Sequence, residues 1–202
     1  MPRLLLATTN EGKAGEYRHL FRGLPLELVT LDDIGIEMAV EEDRASYEEN
    51  ARLKATAYAR ASGLMTLADD SGVEVDALGG EPGVRSARAA GENASDEDRI
   101  RHLLQRLKNV PWEKRTARFR CAIAVATPQG EVELCQGECR GFIAFEPRGD
   151  HGFGYDPVFY LPELGRTMAE LPLEVKNQVS HRGRAGRQAY RILERLARGV
   201  KL

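Results

Sequence analysis

The chain carries its most informative stretch at Leu67-Ala-Asp-Asp-Ser-Gly-Val-Glu-Val-Asp-Ala-Leu-Gly-Gly80. An apolar run leads into it and stops on two adjacent carboxylates, Asp69 and Asp70, which indicates a buried strand that delivers acids to its end. Buried carboxylates repel each other and lose hydration, so they favour a bound cation, and a hard divalent ion is the natural one. The alternative is an ordinary strand followed by an Asp-Ser-Gly turn, and this stretch by itself does not decide between the two.

Working outward, the pattern predicts strands and helices in mixed order. We expect strands at 3–7, 26–31, 64–68, 119–125, 132–136, 142–145 and 157–160, and helices after Gly12, from Ser46 to about Ser62, after Ser95, and from Ser180 to about Ala197. The strands at 119–125 and 132–136 flank a Pro-Gln-Gly turn and therefore predict a hairpin. Helices mixed with sequential strands and a hairpin predict an α/β fold with a mixed sheet.

Composition excludes several classes of protein. The 202 residues are 42% hydrophobic and 30% charged with a net charge of −2, which is typical of a soluble globular domain without a strong nucleic-acid field. The first apolar run is too short for a signal peptide, and no stretch approaches a membrane span. Three cysteines without Cys-x-x-Cys spacing indicate reduced thiols in a cytoplasmic protein. We therefore expect a cytoplasmic protein that binds neither nucleic acid nor membrane.

A polar loop, Thr8-Thr9-Asn10-Glu11-Gly12-Lys13, stands between the first strand and the first helix. Such a junction offers unpaired backbone amides and the positive end of a helix to a phosphate, while Lys13 adds charge. The loop has no Walker spacing, and Asn10 as a simple N-cap is the alternative that spacing alone favours.

A second cation, Lys54, lies four residues after Asn50, so both share one face of an alanine-rich helix. It is either a phosphate ligand or a surface lysine with a buried stem. Spacing alone favours the surface position.

Two segments late in the chain combine glycine, aromatic and charged residues. Phe153-Gly154-Tyr155-Asp156 is either a turn whose aromatic stacks on a base or a β-turn with a core aromatic. His181 and Arg182 follow Ser180 at the start of a helix. Cations at this end oppose the helix macrodipole, which favours a role for these side chains in binding an anion or a carbonyl oxygen.

Taken together, these segments resemble the inosine/xanthosine triphosphate pyrophosphatases, which hydrolyse aberrant purine nucleoside triphosphates. The matching segments are Thr8-Thr-Asn-Glu-Gly-Lys13, Ser46-Tyr-Glu-Glu-Asn-Ala-Arg-Leu-Lys-Ala55, Ala68-Asp-Asp-Ser-Gly72, Gly79-Gly-Glu-Pro-Gly83, Ser86-Ala-Arg88, Phe153-Gly-Tyr-Asp-Pro157 and Ser180-His-Arg-Gly183. They span nearly the whole chain and are specific as a set. Thr9 and Tyr47 depart from the glycine and phenylalanine common in the family, and neither change removes a functional group.

The resemblance implies a fold, a reaction and site roles. It implies a long twisted mixed sheet in two lobes with a central cleft, a single pyrophosphatase domain over residues 1–202, and a homodimer. Water would attack the α-phosphorus of a purine nucleoside triphosphate such as ITP, dITP or XTP, and pyrophosphate would leave, with Mg²⁺ as cofactor. The implied site residues fall into three groups: catalytic Asp70, Lys13 and Lys54; metal ligands Asp70, Glu42 and Asp69; and substrate contacts Thr8, Thr9, Asn10, Glu11, Gly12, Lys13, Ser71, Phe153, Gly154, Tyr155, Asp156, Lys176, His181 and Arg182.

Two alternatives compete with this function. One is a septum-inhibitor-type pyrophosphatase that prefers pyrimidine triphosphates, against which the Ser-His-Arg-Gly segment argues. The other is a nucleotide-sensing module without turnover, against which the costly Asp69-Asp70 pair and Lys13 argue.

Overall fold

The computed structural model describes residues 1–199. Within them the helices are α1 (Glu11–Leu20), α2 (Tyr47–Ser62), α3 (Asp96–Arg106), α4 (Leu173–Val179) and α5 (His181–Ala197). The strands are β1 (Arg3–Leu6), β2 (Glu27–Thr30), β3 (Met65–Val75), β4 (Thr116–Ala126), β5 (Val132–Ile143), β6 (Phe159–Leu161) and β7 (Arg166–Thr167). These bounds confirm the helices predicted after Ser46, Ser95 and Ser180. The first helix is also present, but it begins at Glu11, so Glu11, Gly12 and Lys13 belong to α1 and not to the loop before it.

In the described part of the chain the strands form one sheet in the order β2-β1-β3-β4-β5-β6-β7. Strand β1 runs parallel to β2 and β3, whereas β6 is antiparallel to β5 and β7. The predicted α/β fold with a mixed sheet is confirmed.

Three expectations about strands were wrong. Strand β3 does not end at the acids but continues through them to Val75. Residues 142–143 complete β5 rather than opening a new strand, and residues 156–158 form a 3₁₀ turn before β6. A strand period of two identifies half-buried strands, but it does not show where a long strand ends.

Helix ends follow their capping residues. The Ser46 hydroxyl accepts the Glu49 amide at the start of α2, and Gly63, with a φ of 66°, ends it. In α3 the hydroxyl of Ser95 and the carboxylate of Asp98 cap each other's backbone amides in a full capping box. Helix α4 was not predicted; its N-cap is Pro172, one position before N1, where proline typically begins a helix.

The chain divides into two compact units: unit 1 comprises residues 1–70, 121–137 and 182–202, and unit 2 comprises residues 71–120 and 138–181. Each has its own apolar core. The core of unit 1 includes Leu4, Leu67, Ile123 and Leu193, and that of unit 2 includes Val73, Leu103, Ile143 and Phe159. No helix among residues 1–199 has the length and apolar character that crossing a membrane requires.

Close packing in unit 1 brings helix α1 against helix α5. A Cβ atom added at Gly186 would lie 2.8 Å from Cδ1 of Leu20, tighter than ordinary side-chain contact. Glycine at this position lets the two helices approach, and the polar side chains of both then reach the same buried region.

Candidate active site

The loop after β1 is shaped by its own side chains. The Thr8 hydroxyl accepts the Asn10 amide at 3.1 Å, and the Asn10 side-chain oxygen accepts the Lys13 amide at 2.9 Å. Asn10 is therefore the N-cap of α1, as spacing alone favoured. Thr9 and Glu11 are exposed, and Thr8 and Gly12 are partly exposed, so the loop remains open to a ligand.

Asp69 lies at the centre of a buried ion cluster in unit 1. The Lys13 ammonium is 3.0 Å from one of its carboxylate oxygens, and Nε of Arg182 is 3.4 Å from the same oxygen. Arg182 also donates to Glu16 across 2.7 Å, and both of these side chains are almost fully buried. Burial by itself would raise the pKa of Asp69, but the charges of Lys13 and Arg182 outweigh it and hold that pKa well below its usual range.

Asp70 has a different environment, although it is the next residue along β3. Its carboxylate accepts a hydrogen bond from the Asn50 side-chain amide at 2.9 Å, and the residue is 7% exposed. Burial raises the pKa of Asp70 to about 6, against the effect of the Asn50 hydrogen bond and with the help of the negative charge of Glu42. Lys13 and Lys54 favour the ionised form of Asp70, but the effect of burial on its pKa is larger.

Glu42 and Lys54 form an ion pair beside this carboxylate. Lys54 Nζ donates to Glu42 across 2.9 Å, and Lys54 is only 8% exposed. The expectation of a surface position for Lys54 was wrong, because helix α2 turns the face that holds both Asn50 and Lys54 inward.

In unit 2, the turn at Phe153–Asp156 is tightly held. The Asp156 carboxylate accepts the Phe153 amide at 2.9 Å and pairs with the Lys176 ammonium, and both charged residues are buried. The Lys176 ammonium also lies 4.8 Å from the centre of the Phe153 ring. A side chain at Gly152 would collide with the Asp156 carboxylate, so glycine is required there.

The two aromatics of this turn have different surroundings. Phe153 is partly exposed, whereas Tyr155 is buried and donates its hydroxyl to the Ser86 carbonyl at 3.0 Å. Tyr155 thus occupies the core position that was the alternative for this segment, and Phe153 is the ring available for stacking.

His181 is also buried in unit 2. Its ring stacks on Phe119 with centroids 4.6 Å apart, and Phe119 in turn packs against Phe159. The next residue, Arg182, belongs to unit 1, where its guanidinium meets Asp69 and Glu16. The position of Arg182 at a helix start predicted that it binds anions, and the anions that it contacts are carboxylates of the protein itself.

The remaining predicted positions lie on the same elements. Ser71 follows Asp70 on β3 and is partly exposed, and Gly154 lies at the centre of the turn in unit 2 with a φ of 62°. Among the residues that contact predicted ones, the acids Glu16 and Asp96 were not predicted. The spacing of Glu16 three residues after Lys13 on α1 was an available signal, whereas nothing in the sequence pairs Asp96 with Gly154.

The acidic side chains of the site fit a divalent cation in part. Among residues 1–199 no group of three or more His, Cys, Asp or Glu side chains is arranged to hold a metal ion. Asp70 and Glu42 nevertheless supply two neighbouring carboxylates, which suits Mg²⁺, since this ion commonly takes one or two carboxylates and completes its shell with water and substrate phosphates. Asp69 fits less well because its oxygens already meet Lys13 and Arg182.

Comparisons with known proteins agree with this geometry. The sequence pattern of the Ham1 family matches residues 4–192. A protein of Geobacter sulfurreducens named dITP/XTP pyrophosphatase is 55% identical over 92% of this chain and 93% of its own length. The structure of a HAM1 protein from Coxiella burnetii superposes with a TM-score of 0.86 at 40% identity, over 96% of this chain and 98% of that one. The Ham1 protein of Staphylococcus aureus gives a TM-score of 0.84 at 42% identity, over 95% and 98% of the two chains. The chain belongs to the Ham1 family.

Proposed function

We propose that this chain hydrolyses non-standard purine nucleoside triphosphates, namely ITP, dITP and XTP, to the nucleoside monophosphate and pyrophosphate. Relatives named dITP/XTP pyrophosphatase match the chain at 44–55% identity over nearly its whole length, which supports the substrate class. The observation that carries the proposal is the buried Asp70 carboxylate beside Glu42, with Lys54 and the phosphate-binding loop of Lys13 in the same unit.

In this mechanism Asp70 takes a proton from the water that attacks the α-phosphorus. A general base works best when its pKa lies near the working pH, and burial raises the pKa of Asp70 to about 6. Asn50 fixes the orientation of the carboxylate through its side-chain amide. Asp70 would therefore be both oriented and basic enough for this role at neutral pH.

The cations of unit 1 stabilise the phosphate charges. Lys13 and the backbone amides of its loop bind the distal phosphates, and Lys54 balances charge near the leaving pyrophosphate. Asp69 keeps Lys13 in place, since its carboxylate lies 3.0 Å from the ammonium. We assign Asp69 to this task, and its direct binding of metal remains a prediction.

Asp70 and Glu42 would hold Mg²⁺, with Asp69 as the further ligand that the resemblance implies. When bound, the ion neutralises phosphate oxygens and stabilises the departing pyrophosphate. The two carboxylates also repel each other, and a divalent cation relieves that repulsion.

Residues of unit 2 recognise the base in this proposal. Phe153 offers a partly exposed ring for stacking, and the Lys176 ammonium lies 4.8 Å from the centre of that ring. His181, whose ring stacks on Phe119, is a further proposed contact of the base. Gly154, Tyr155, Asp156 and Ser71 complete the proposed contacts. Arg182 as a donor to the oxygen at C6 of the base also remains a prediction, since its guanidinium meets two carboxylates.

We further propose that the whole chain acts as one catalytic domain in a cytoplasmic homodimer without nucleic-acid partners. The family match over residues 4–192 supports a single functional domain. The buried thiols of Cys121, Cys135 and Cys139, with no disulfide in the described residues, suit a reducing compartment. Light scattering on the eluting protein would give a mass near twice 22.4 kDa for a homodimer.

The reaction is tested by incubating the protein with ITP and Mg²⁺ in oxygen-18 water. We expect pyrophosphate as the first phosphorus product and the heavy oxygen on inosine monophosphate, because water attacks the α-phosphorus. Orthophosphate as the first product contradicts the reaction, and binding without turnover would indicate a sensing module. Faster hydrolysis of pyrimidine triphosphates would instead favour the septum-inhibitor type.

A further inference from the structure

A carboxylate of helix α3 reaches the turn at Phe153–Asp156. The Asp96 side chain accepts the backbone amide of Gly154 at 2.6 Å, although the two residues are 58 positions apart. Its other oxygen accepts a hydrogen bond from Arg99 at 2.6 Å, so both oxygens of the carboxylate are used and its orientation is fixed.

The helix does not need Asp96 for its own start. Ser95 and Asp98 already form the capping box of α3, with the Asp98 amide 3.1 Å from the Ser95 hydroxyl. A first-turn aspartate would favour the helix dipole, but a solvent-facing side chain would suffice for that. The direction of the Asp96 carboxylate therefore points to the turn as its partner.

Asp96 holds the turn at its apex, from outside the turn. Within the turn, the Asp156 carboxylate accepts the Phe153 amide, and the Phe153 carbonyl accepts the Asp156 amide at 3.2 Å. The peptide plane between Phe153 and Gly154 is therefore held at its carbonyl by the turn itself and at its amide by Asp96. Together these two contacts fix the direction in which the Phe153 side chain leaves the backbone.

We propose that Asp96 is a positioning residue for recognition of the purine base, acting through Gly154 on the ring of Phe153. The inference rests on the proposed function, which gives Phe153 the stacking contact with the base. A charge-assisted hydrogen bond holds the turn before substrate arrives, so binding does not have to order it. The effect is expected on the base and not on the phosphates, because the turn carries Phe153, whereas the proposed function assigns the phosphates to Lys13 and its loop.

The test compares Asp96→Ala with Glu97→Ala, an exposed acid at the next position of the same helix. We expect Asp96→Ala to weaken ITP binding and raise its KM about tenfold, with kcat within about twofold, since one charge-assisted hydrogen bond is lost. Inhibition by inorganic tripolyphosphate, which has no base, should be unchanged. Glu97→Ala should match the unaltered protein in all three measurements, and Asp96→Asn, whose amide oxygen can still accept, should recover part of the affinity.

The outcomes separate the positioning role from the proposed reaction. Unchanged ITP affinity in Asp96→Ala, or equal losses for ITP and tripolyphosphate, would overturn the positioning role while leaving the reaction intact. Unaltered protein that binds ITP but releases no pyrophosphate would overturn the reaction, and a selective loss of ITP binding in Asp96→Ala would still support the role. If Asp96→Ala does not fold, Asp96→Asn tests the role through a smaller effect, because its neutral oxygen accepts more weakly than a carboxylate: a partial rise in the KM for ITP with unchanged inhibition by tripolyphosphate supports the role, and an unchanged KM overturns it.

Discussion

The two sides of strand β3 differ at Asp69 and Asp70, although these residues are adjacent and chemically identical. Asp69 meets Lys13 and Arg182, and their charges hold its pKa well below the usual range. Asp70 meets Asn50 and the negative field of Glu42, and burial raises its pKa to about 6. Successive side chains of a strand point to opposite faces, so one step along the chain exchanges one environment for the other.

Asp69 and Asp70 therefore differ in what they contribute to the stability of the fold and to the proposed reaction. A buried carboxylate whose charge is balanced by two cations stabilises the arrangement around it, whereas one for which burial outweighs the nearby cations is ready to take a proton or a metal ion. The same pair of letters in the sequence therefore contains one residue that holds neighbouring cations in place and one to which we assign a role in the reaction.

The largest effect is expected for Asp70→Asn, which keeps the shape of the side chain but removes the base and a negative ligand. Loss of a general base lowers kcat about 100- to 10,000-fold. The rate of pyrophosphate release from ITP at saturating Mg²⁺ measures it. Near-normal turnover would mean that Asp70 is not the base.

Next in size is the loss of stability in Glu16→Gln, on the Asp69 side. Arg182 is 2% exposed and would keep only one of its two carboxylates, so we expect roughly 3 kcal/mol lower unfolding free energy. Urea unfolding measures it against Glu163→Gln, the same change on an exposed loop. Equal midpoints for the two variants would show that Glu16 does not compensate Arg182.

Lys13→Ala should raise the KM for ITP about ten- to a hundredfold, because a charged donor to the distal phosphates is lost. Inhibition by the monophosphate product should hardly change. The exposed Lys108→Ala serves as control. Equal losses of affinity for the triphosphate and the monophosphate would show that Lys13 contacts the α-phosphate instead.

The smallest expected effect is the stabilisation of the protein by Mg²⁺ alone. At ten times its dissociation constant, a ligand that binds only the folded state adds about 1.4 kcal/mol. Thermal unfolding with and without Mg²⁺ should show this gain in the unaltered protein and not in Asp70→Asn. A full gain in the variant would place the ion elsewhere.

The sequence was sufficient for the elements that depend on local signals. Ser46 and Ser95 mark helix starts through contacts within a few residues, and the structure confirms both. Strand β3 was different, because its pairing with β1 reaches only Leu67 and its continuation to Val75 depends on other strands. Local pattern does not contain that information.

The site residues show the same contrast between local signals and contacts of distant segments. The carboxylate pair and Lys13 were evident as chemistry, but their partners were not, since Lys13 and Arg182 lie 56 and 113 positions from Asp69. The inward position of Lys54 and the contact of Asp96 with Gly154 depend equally on packing between distant segments. Spacing shows which residue types are present, and the fold decides which of them meet.

The most direct test of the contrast compares thermal unfolding of Asp69→Asn and Asp70→Asn at pH 7 without divalent metal. Asp69→Asn should lower the melting temperature, because Lys13 and Arg182 lose a buried counter-charge. Asp70→Asn should leave it unchanged or raise it, because the change removes an ionised carboxylate that burial and Glu42 disfavour. Shifts of the same sign and similar size in both variants would contradict the account.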